Sequence, residues 1–187
     1  MITPLLHVDE NLFLIPPHES MAESLFHLIN QQRSHLSLWL PWMNQIKEYA
    51  DINRWLYDAH RYNLGGQHLT TFIQWQGVIV GSVRLMRIDH KHSRAELGYW
   101  INKQCQGQGI MTRCCQEMIR HSFLELQLNR LEIRSPQQNS RSRAMAQRLG
   151  FAHEGLVQEH IRLRGQFFNT EIFGLVYREW EKKQKKL

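Results

Sequence analysis

The sequence predicts a mixed α/β fold that forms one domain over residues 1–187. Segments with apolar residues at three- and four-residue steps alternate with shorter runs of aliphatic and aromatic residues, as helices and strands in mixed order require. A length of 187 residues suits one domain with a sizeable core. The hydrophobic content of 42% with 21% charged residues is ordinary for a globular protein, and no repeat or low-complexity linker divides the chain.

The first third of the chain predicts one strand and two helices. A strand over residues 12–15 precedes Pro16-Pro17. The apolar stripe of the first helix consists of Met21, Leu25, Leu28, Ile29 and Leu36. Asp51 is expected to cap the second helix, which Gly65-Gly66 ends. Its apolar stripe consists of Ile52, Trp55, Leu56, Ala59 and Tyr62.

The central part predicts three strands followed by a helix. Strands over residues 69–75 and 78–88 are joined at Gln76-Gly77, a pair typical of a tight hairpin turn. A polar connector leads to a third strand over residues 95–101. The next helix carries an apolar stripe formed by Ile110, Met111, Cys114, Cys115, Met118, Ile119, Phe123 and Leu126.

The last part predicts three further strands and a short helix. Residues 130–134 alternate apolar and charged side chains, which indicates a half-buried strand. A helix over residues 139–149 follows, and two final strands over residues 151–163 and 167–177 turn at Arg164-Gly165. The chain is thus expected to form about seven strands and four helices.

A glycine-spaced loop, Gln104-Cys105-Gln106-Gly107-Gln108-Gly109, lies between the strand over residues 95–101 and the helix that follows. The first N–H groups of a helix have no intrahelical partner, and the helix dipole places partial positive charge there. Glycines let the main chain approach an anion closely and adopt conformations that a side chain would forbid. The loop therefore predicts a phosphate site, to which the hydroxyl of Thr112 could contribute.

Other interpretations of this loop are possible. A dinucleotide-binding motif would require a third glycine at Thr112, and a P-loop would require Gly-Lys-Ser/Thr, so both are disfavoured. The spacing alone leaves open a tight turn that merely enters a core helix. A catalytic thiol at Cys105 is a further alternative, because a helix N-terminus lowers the pKa of a thiol.

Charge and composition bear on the partners of the protein. A net charge of +6 and a pI near 9.5 favour an acidic partner, although part of the excess lies in residues 181–186, which are expected to be a solvated or frayed tail. The other basic residues are scattered and no nucleic-acid-binding module is present, so DNA is not expected as a partner. No apolar stretch has membrane-spanning length, so no membrane partner is expected.

Cysteines, histidines and the N-terminal residues indicate the cellular setting. The three cysteines include an adjacent pair and no Cys-x-x-Cys, which is typical of a reducing compartment. The histidines lack the spacing of a zinc site, so no metal is expected. Residues 1–7 do not resemble a signal peptide. A cytoplasmic protein is therefore expected.

Short motifs in a fixed order match those of a known family. Its acyl-CoA signature, Gln/Arg-x-x-Gly-x-Gly/Ala, is matched by Gln104, Gly107 and Gly109. Its later Asn-x-x-Ser/Ala stretch ending in Gly-Phe is matched by Asn139, Ser142 and Gly150-Phe151. Over nearly its whole length the chain resembles the GCN5-related N-acetyltransferase (GNAT) family. The segments over residues 39–42 and 98–100 look like features of the RimJ/RimL branch.

The resemblance implies a strongly twisted mixed sheet whose strands over residues 95–101 and 130–135 splay apart in a V. The pantetheine arm of coenzyme A would pair with the first of these strands, and the glycine loop would hold the pyrophosphate. A bulge usual in this strand would free the N–H of about Trp100 or Ile101 to polarise the thioester carbonyl. Acetyl-CoA is therefore the implied co-substrate, and its binding residues would be Tyr99, Trp100, Ile101, Gln104, Gln106, Gly107, Gln108, Gly109, Ile110, Met111, Thr112, Asn139 and Ser142.

The resemblance also implies direct attack of an amine on the thioester, with Ser142 as the acid for the departing thiol. Many relatives use a tyrosine four residues further on, where this chain has Ala146, so the tyrosine-acid subset is disfavoured. Glu96, on the splayed strand, is the first candidate for the base. The branch places a glutamate four residues before the last turn glycine, where this chain has Ile161. Glu159, two residues earlier and on the same face if the strand is regular, is the alternative base.

The branch implies that the acceptor is the α-amino group of a protein, above all a ribosomal protein, and a net charge of +6 would complement the acidic stalk protein. Trp39, Trp42 and the early helices would line the acceptor side. A small-molecule amine, such as an antibiotic, polyamine or amino-acid derivative, is an alternative acceptor, and a non-catalytic acyl-CoA sensor is an alternative function. Monomer and homodimer both remain open.

Overall fold

The structure is a computed structural model that describes residues 2–185. Its strands are β1 (Leu6–Asp9), β2 (Leu12–Ile15), β3 (Leu69–Trp75), β4 (Val78–Asp89), β5 (Arg94–Ile101), β6 (Arg130–Pro136), β7 (Ala152–Leu163) and β8 (Gln166–Val176). Its α-helices are α1 (Ala22–Leu36), α2 (Tyr49–Leu64), α3 (Ile110–Leu124), α4 (Ser140–Arg148) and α5 (Tyr177–Gln184). Three short 3-10 helices are Glu19–Met21, Pro41–Gln45 and Lys103–Cys105.

All of the strands belong to one eight-stranded sheet with the order β1-β2-β3-β4-β5-β6-β8-β7. Neighbouring strands are antiparallel except β5 and β6, which are parallel. Parallel neighbours need a crossover connection, and α3 supplies it between β5 and β6. The mixed α/β class expected from the sequence is therefore confirmed, with one strand and one helix more than predicted.

The additional elements are β1 and α5, at the two ends of the described chain. Strand β1 pairs with β2. It was not predicted because its four residues, which include His7 and Asp9, are too few to show a clear alternation of apolar and polar side chains. The last strand was expected to continue to Tyr177, where instead α5 begins. The rings of Tyr177 and Trp180 pack against Phe123, with centroids 5.9 Å and 5.4 Å away, so tertiary contact stabilises the helix. Lys186, the end of the predicted tail, lies outside the described residues.

Two apolar clusters lie on opposite faces of the sheet. One contains residues of α3, such as Cys115 and Met118, together with Leu97 and Ile101 of β5. The other contains residues of α1 and α2 together with Trp100 of β5. Successive side chains of a strand point to opposite faces, so β5 contributes to both clusters. Its odd-numbered residues face α3, and its even-numbered residues face α1 and α2.

The turns behave as predicted, but the capping of α2 differs. Gln76 and Gly77 have φ of 51° and 80°, and the pair Arg164-Gly165 has φ of 49° and 83°, as tight hairpin turns require. Helix α2 begins one turn earlier than expected, with Glu48 as its N-cap. The Asp51 carboxylate caps it from within the first turn, because it accepts the main-chain N–H groups of Lys47 and Glu48 at 2.9 Å and 3.1 Å.

Candidate active site

A V-shaped gap opens in the middle of the sheet, between β5 and β6. Their parallel pairing begins at Arg94 with Arg130 and ends at Glu96 with Glu132. Beyond that point β5 remains paired with β4 as far as Ile101, and β6 remains paired with β8. The two strands therefore present main-chain groups to each other without pairing, which is the edge that an extended ligand can occupy.

The direction of one hydrogen bond identifies the main-chain groups that face the gap. Asn102 donates its N–H to Val80 of β4 at 2.8 Å, and main-chain groups alternate in direction along a strand. Tyr99 and Ile101 therefore face the gap, whereas Trp100 faces β4. The Trp100 side chain is also buried, in the cluster with α1 and α2. Of the two residues expected to offer a free N–H, the geometry selects Ile101.

Strand β5 has no bulge near Trp100, contrary to expectation, and the irregularity lies in β4 instead. Pairing of β5 with β4 is regular from Glu96 to Ile101. The register shift lies between Met86 and Asp89 of β4, where Arg87 has a φ of 52°. The N–H of Ile101 points into the gap because main-chain groups alternate along β5, and it has no strand partner because β5 and β6 splay apart. No bulge is needed to free it.

The glycine loop leads directly into α3. Gly107 and Gly109 have φ of 78° and 73°, the left-handed region that a side chain disfavours, and Gly109 is the N-cap of α3. A Cβ built on either glycine would have no neighbour within 4 Å, so packing does not require glycine at these positions. The space over the loop is open, and the first N–H groups of α3, from Ile110 to Thr112, have no intrahelical acceptor. This arrangement fits a diphosphate.

Side chains hold the loop in place from both sides. Within it, the Gln108 amide donates to the main-chain oxygen of Gln104 at 3.2 Å. The Gln106 amide lies 3.1 Å from Nε2 of His35 on α1 and accepts a hydrogen bond from Arg141 on α4. Burial and the charges of Lys103 and Arg141 lower the pKa of His35, so its ring is neutral at pH 7. The loop thus joins α1 to α4.

A cleft of about 330 Å³ lies between α1 and α4 beside this loop. Trp39, Lys103 and Arg141 are among the residues that line it. Its two cations, Lys103 and Arg141, attract anionic ligands, since a charged cleft raises their local concentration. Trp39, predicted from the sequence to lie on the acceptor side, is one of the residues that line this cleft.

Ser142 lies in the first turn of α4 and faces Tyr99. The cap of this helix is Asn139, whose side-chain oxygen accepts the N–H of Ser142 at 3.2 Å. The Ser142 hydroxyl is therefore not the cap. The Tyr99 hydroxyl donates to the Ser142 carbonyl at 3.2 Å and lies 3.3 Å from Ser142 Oγ. Burial raises the pKa of the Tyr99 phenol well above its ordinary value, so it stays protonated and can donate at neutral pH.

The side chains of three predicted cofactor-binding residues pack within the protein. The Thr112 hydroxyl, expected to reach a phosphate, contacts the sulfur of Met145 at 3.5 Å. The side chains of Ile110 and Met111 are buried and half-buried. Burial raises the pKa of the Cys105 thiol, which disfavours the thiolate that a catalytic cysteine needs.

The two candidate bases have different surroundings. Glu96 is half-buried where the β5–β6 pairing ends, and its carboxylate lies 3.1 Å from Arg87 and 3.8 Å from Arg134. Glu159 is exposed in an irregular part of β7, with a φ of 47°. Its N–H donates to the Asn169 side chain at 3.0 Å. The regular strand assumed for Glu159 is therefore wrong, whereas Glu96 lies in a regularly paired part of β5.

Two features of the site were missed from the sequence. Glu171 of β8 is buried and lies 2.8 Å from Arg143 and 3.7 Å from His153, so an ion pair ties α4 to the sheet next to Ser142. Arg84 of β4 lies over the ring of Trp42, 5.8 Å from its centroid. The chain separation of these partners leaves no spacing pattern that could reveal them.

The described residues form neither a cluster of metal ligands nor a membrane-spanning helix. Between residues 2 and 185, no group of three or more His, Cys, Asp or Glu side chains could hold a metal ion. In the same part of the chain, no helix is both long and apolar enough to cross a bilayer. Cys105, Cys114 and Cys115 are free thiols, and all of them are buried.

A splayed sheet with a glycine loop at the start of its crossover helix defines, as a class, a transferase that binds an acyl-CoA. Comparison with known families agrees, since the model of the acetyltransferase (GNAT) domain matches residues 11–152. The chain belongs to the GNAT family and is an acetyl-CoA-dependent N-acetyltransferase. A non-catalytic acyl-CoA sensor is thereby set aside.

Relatives and solved structures place the chain beside the RimJ/RimL acetyltransferases. YdaF of Bacillus subtilis strain 168, provisionally named as a ribosomal N-acetyltransferase, is 33% identical to this chain. The alignment covers 97% of this chain and 98% of YdaF. The ribosomal-protein-serine acetyltransferase of Escherichia coli strain K12 is 25% identical, covering 94% of this chain and 98% of its own.

Two solved structures have a similar fold. The microcin C7 self-immunity acetyltransferase MccE, solved in complex with acetyl-CoA and AMP, has a TM-score of 0.87 and is 28% identical to this chain. The superposition covers 90% of this chain and 94% of the MccE chain. RimL, an acetyltransferase of ribosomal L7/L12 solved in complex with coenzyme A, has a TM-score of 0.88 at 23% identity, over 91% of this chain and 96% of its own. The RimL comparison supports the fold.

Proposed function

We propose that this acetyltransferase modifies the N-terminal α-amino group of a protein, most of all a ribosomal protein. The observation that carries the proposal is similarity over nearly the whole length of two relatives whose names refer to ribosomal N-acetyltransferases. A net charge of +6 also suits an acidic protein acceptor. Residues 1–187 would form one domain, working in the cytoplasm where acetyl-CoA and newly made ribosomal proteins meet.

The cofactor site of the proposal uses the residues named from the sequence. The main-chain N–H groups between Gln104 and Thr112 bind the diphosphate, and the open edge of β5 at Tyr99 and Ile101 binds the pantetheine arm. When bound, acetyl-CoA supplies an activated acetyl thioester. The N–H of Ile101 is oriented into the gap, where it can stabilise developing negative charge on the carbonyl oxygen.

Proton transfer is assigned to Glu96 and Ser142. Glu96 accepts a proton from the acceptor amine, directly or through water. Ser142 Oγ gives a proton to the departing sulfur and regains one from solvent, to which Glu96 releases the proton that it took from the amine. The protonated Tyr99 hydroxyl, 3.3 Å away, orients the serine. An α-amine with a pKa of about 7.7–8.0 needs only about 1 kcal/mol to become neutral at pH 7, whereas a lysine at about 10.4 needs nearer 5 kcal/mol. One carboxylate is therefore enough for an α-amine.

A mass-spectrometric assay tests the acceptor. Purified protein and acetyl-CoA are incubated with ribosomal proteins that have free N-termini, and in parallel with spermidine and an aminoglycoside. Transfer to the terminal residue, without transfer to lysine, is the expected result. Acetylation of a small amine with none at protein N-termini would refute the proposal.

A small-molecule acceptor is the second candidate. It is favoured by the 28% identity with MccE, whose structure holds AMP beside acetyl-CoA. Ala146, in the position where many relatives have a tyrosine, sets this chain apart from the tyrosine-acid subset. The same assay separates the two candidates, because both acceptor classes are present in it.

A further inference from the structure

Arg84 is a half-buried cation on β4, the strand that pairs with β5 on the side away from the V-shaped gap. It lies on β4 opposite Gly98 of β5, and its guanidinium lies over the ring of Trp42, 5.8 Å from the centroid. Among the hydrogen bonds and ion pairs of residues 2–185, none involves its side chain. Its N–H donors therefore have no acceptor in the described part of the protein.

The neighbouring arginines on this face are all paired, which makes Arg84 the exception. Arg87 lies 3.1 Å from Glu96, and Arg130 and Arg134 each lie 3.1 Å from Glu132. Burial lowers the pKa of Arg84, and the charge of Glu96 opposes that shift. The guanidinium nevertheless stays protonated at neutral pH. A half-buried guanidinium whose donors meet no protein acceptor is available to bind an anion.

The absence of a side chain at Gly98 leaves room for the Arg84 side chain over β5, the strand that borders the gap. A Cβ at Gly98 would approach Nε of Arg84 to 3.6 Å and Cε of Met86 to 2.8 Å. Gly98 lies two residues beyond Glu96, where the pairing of β5 with β6 ends. Arg84 and Glu96 are thus diagonal neighbours on one face of the sheet, a relation in which main-chain positions are typically about 7–8 Å apart.

We propose that Arg84 binds a carboxylate of the acceptor, and that the enzyme selects acceptors with an acidic side chain close to the reactive amine. The inference rests on the proposed function, in which Glu96 receives the amine. An extended chain advances about 3.3–3.6 Å per residue, so the acidic side chain is expected at residue two or three, close to the amine. The planar guanidinium suits a carboxylate because it can donate two parallel hydrogen bonds.

Two peptides test the proposal, identical except that residues two and three are aspartate in one and asparagine in the other. Both have a free N-terminal serine. The wild-type protein is expected to favour the aspartate peptide by about tenfold or more in kcat/KM, and by a similar factor in affinity of the coenzyme A-loaded protein, about 1.4 kcal/mol. Arg84→Gln should abolish both preferences by weakening only the aspartate peptide. Arg84→Lys should restore part of them.

The matched control is Arg61→Gln on α2. Arg61 also lies over an aromatic ring, 6.0 Å from the centroid of Tyr57, but it is exposed on a helix. This variant should keep the preference for aspartate. If Arg84 only supports Trp42, the Arg84→Gln variant would lower the melting temperature and slow both peptides equally, which would overturn the inference.

The remaining outcomes separate this inference from the proposed function. Acetylation of both peptides without preference would overturn the role of Arg84 and leave the function standing. Tight, Arg84-dependent binding of the aspartate peptide without acetylation would keep the role of Arg84 and refute the function. Failure of both peptides to bind would overturn the role of Arg84.

Discussion

The hydroxyl of Tyr99 lies 3.3 Å from Oγ of Ser142, so strand β5 and helix α4 meet beyond the point where β5 and β6 separate. Tyr99 comes from the strand that offers its edge to the gap, and Ser142 from the helix after β6. Because Asn139 caps α4, the serine hydroxyl is left available for chemistry. The two hydroxyls act as one unit in the proposed mechanism.

Ser142→Ala should lower kcat by about 100-fold, since general acid catalysis contributes at least that much, and should leave coenzyme A affinity nearly unchanged. Tyr99→Phe should lower kcat by a smaller factor, about threefold to tenfold, because the serine loses an orienting bond. In the double variant the tyrosine change should add little, as expected for residues that act together. Steady-state kinetics and calorimetry measure these quantities.

Ser140→Ala is the control, since Ser140 is the exposed first residue of the same helix. It should leave kcat unchanged. Additive effects of the Tyr99 and Ser142 changes would contradict the coupling. A Ser142→Ala enzyme with full activity would remove the serine from the mechanism.

Gly109→Asp should weaken coenzyme A binding far more than Gly109→Asn. Both residues tolerate the left-handed backbone better than most, so strain at a φ of 73° is similar in the two variants. They differ by one negative charge at the phosphate site, which should cost about tenfold in affinity or more even after screening by salt. Titration calorimetry measures the ratio. Equal affinities for the two variants would place the diphosphate elsewhere.

Glu96→Gln should lower kcat with an α-amine acceptor by about tenfold or more, because a positioned base is lost. Glu159→Gln is its natural control: the side chain is exposed in the irregular part of β7 and should be dispensable. Rates measured from pH 6 to 9 give a further readout, since the loss should be greatest where the amine is protonated. The reverse ranking of the two variants would assign the base to Glu159.

Asp51→Ala should destabilise the protein at neutral pH by removing the acceptor for two main-chain N–H groups of α2. Those bonds lower the pKa of Asp51 below the ordinary aspartate value of about 3.9. A lowered pKa in the folded state means that the stabilisation is complete above the unfolded value and disappears as pH falls through the folded value.

Melting temperatures at pH 7 and below pH 3 test this expectation, with Asn53→Ala at an exposed position of the same helix as the control. The deficit of Asp51→Ala should shrink at the lower pH. A deficit independent of pH would show that the carboxylate charge is not involved.

Much of the fold could be predicted because local rules act strongly in this chain. Apolar periodicity located four of the five described helices, and the pairs Gln76-Gly77 and Arg164-Gly165 located two hairpin turns. Strand β1 and helix α5 were not predicted. The stability of β1 comes from pairing with β2, and that of α5 from contact with Phe123. Neither of these tertiary interactions can be predicted from the local sequence.

Some features of the candidate site could likewise be predicted from local sequence, and others could not. The glycine loop was visible because a left-handed backbone at Gly107 and Gly109 demands glycine locally. The irregularity in β7 that removes Glu159 from its expected face was not visible, since register depends on the partner strand. The mixed sheet and the acetyl-CoA signature were therefore determined by the sequence itself.

Only the tertiary structure decided which side chains meet in the gap. Tyr99 and Ser142 are 43 residues apart in the chain, and Arg84 lies over β5 because Gly98, opposite it, has no side chain. Such contacts follow from strand order and from the splay of β5 and β6, which are global properties of the sheet. Periodicity reports the faces of single elements, whereas chemistry at this site depends on how separate elements are placed against each other.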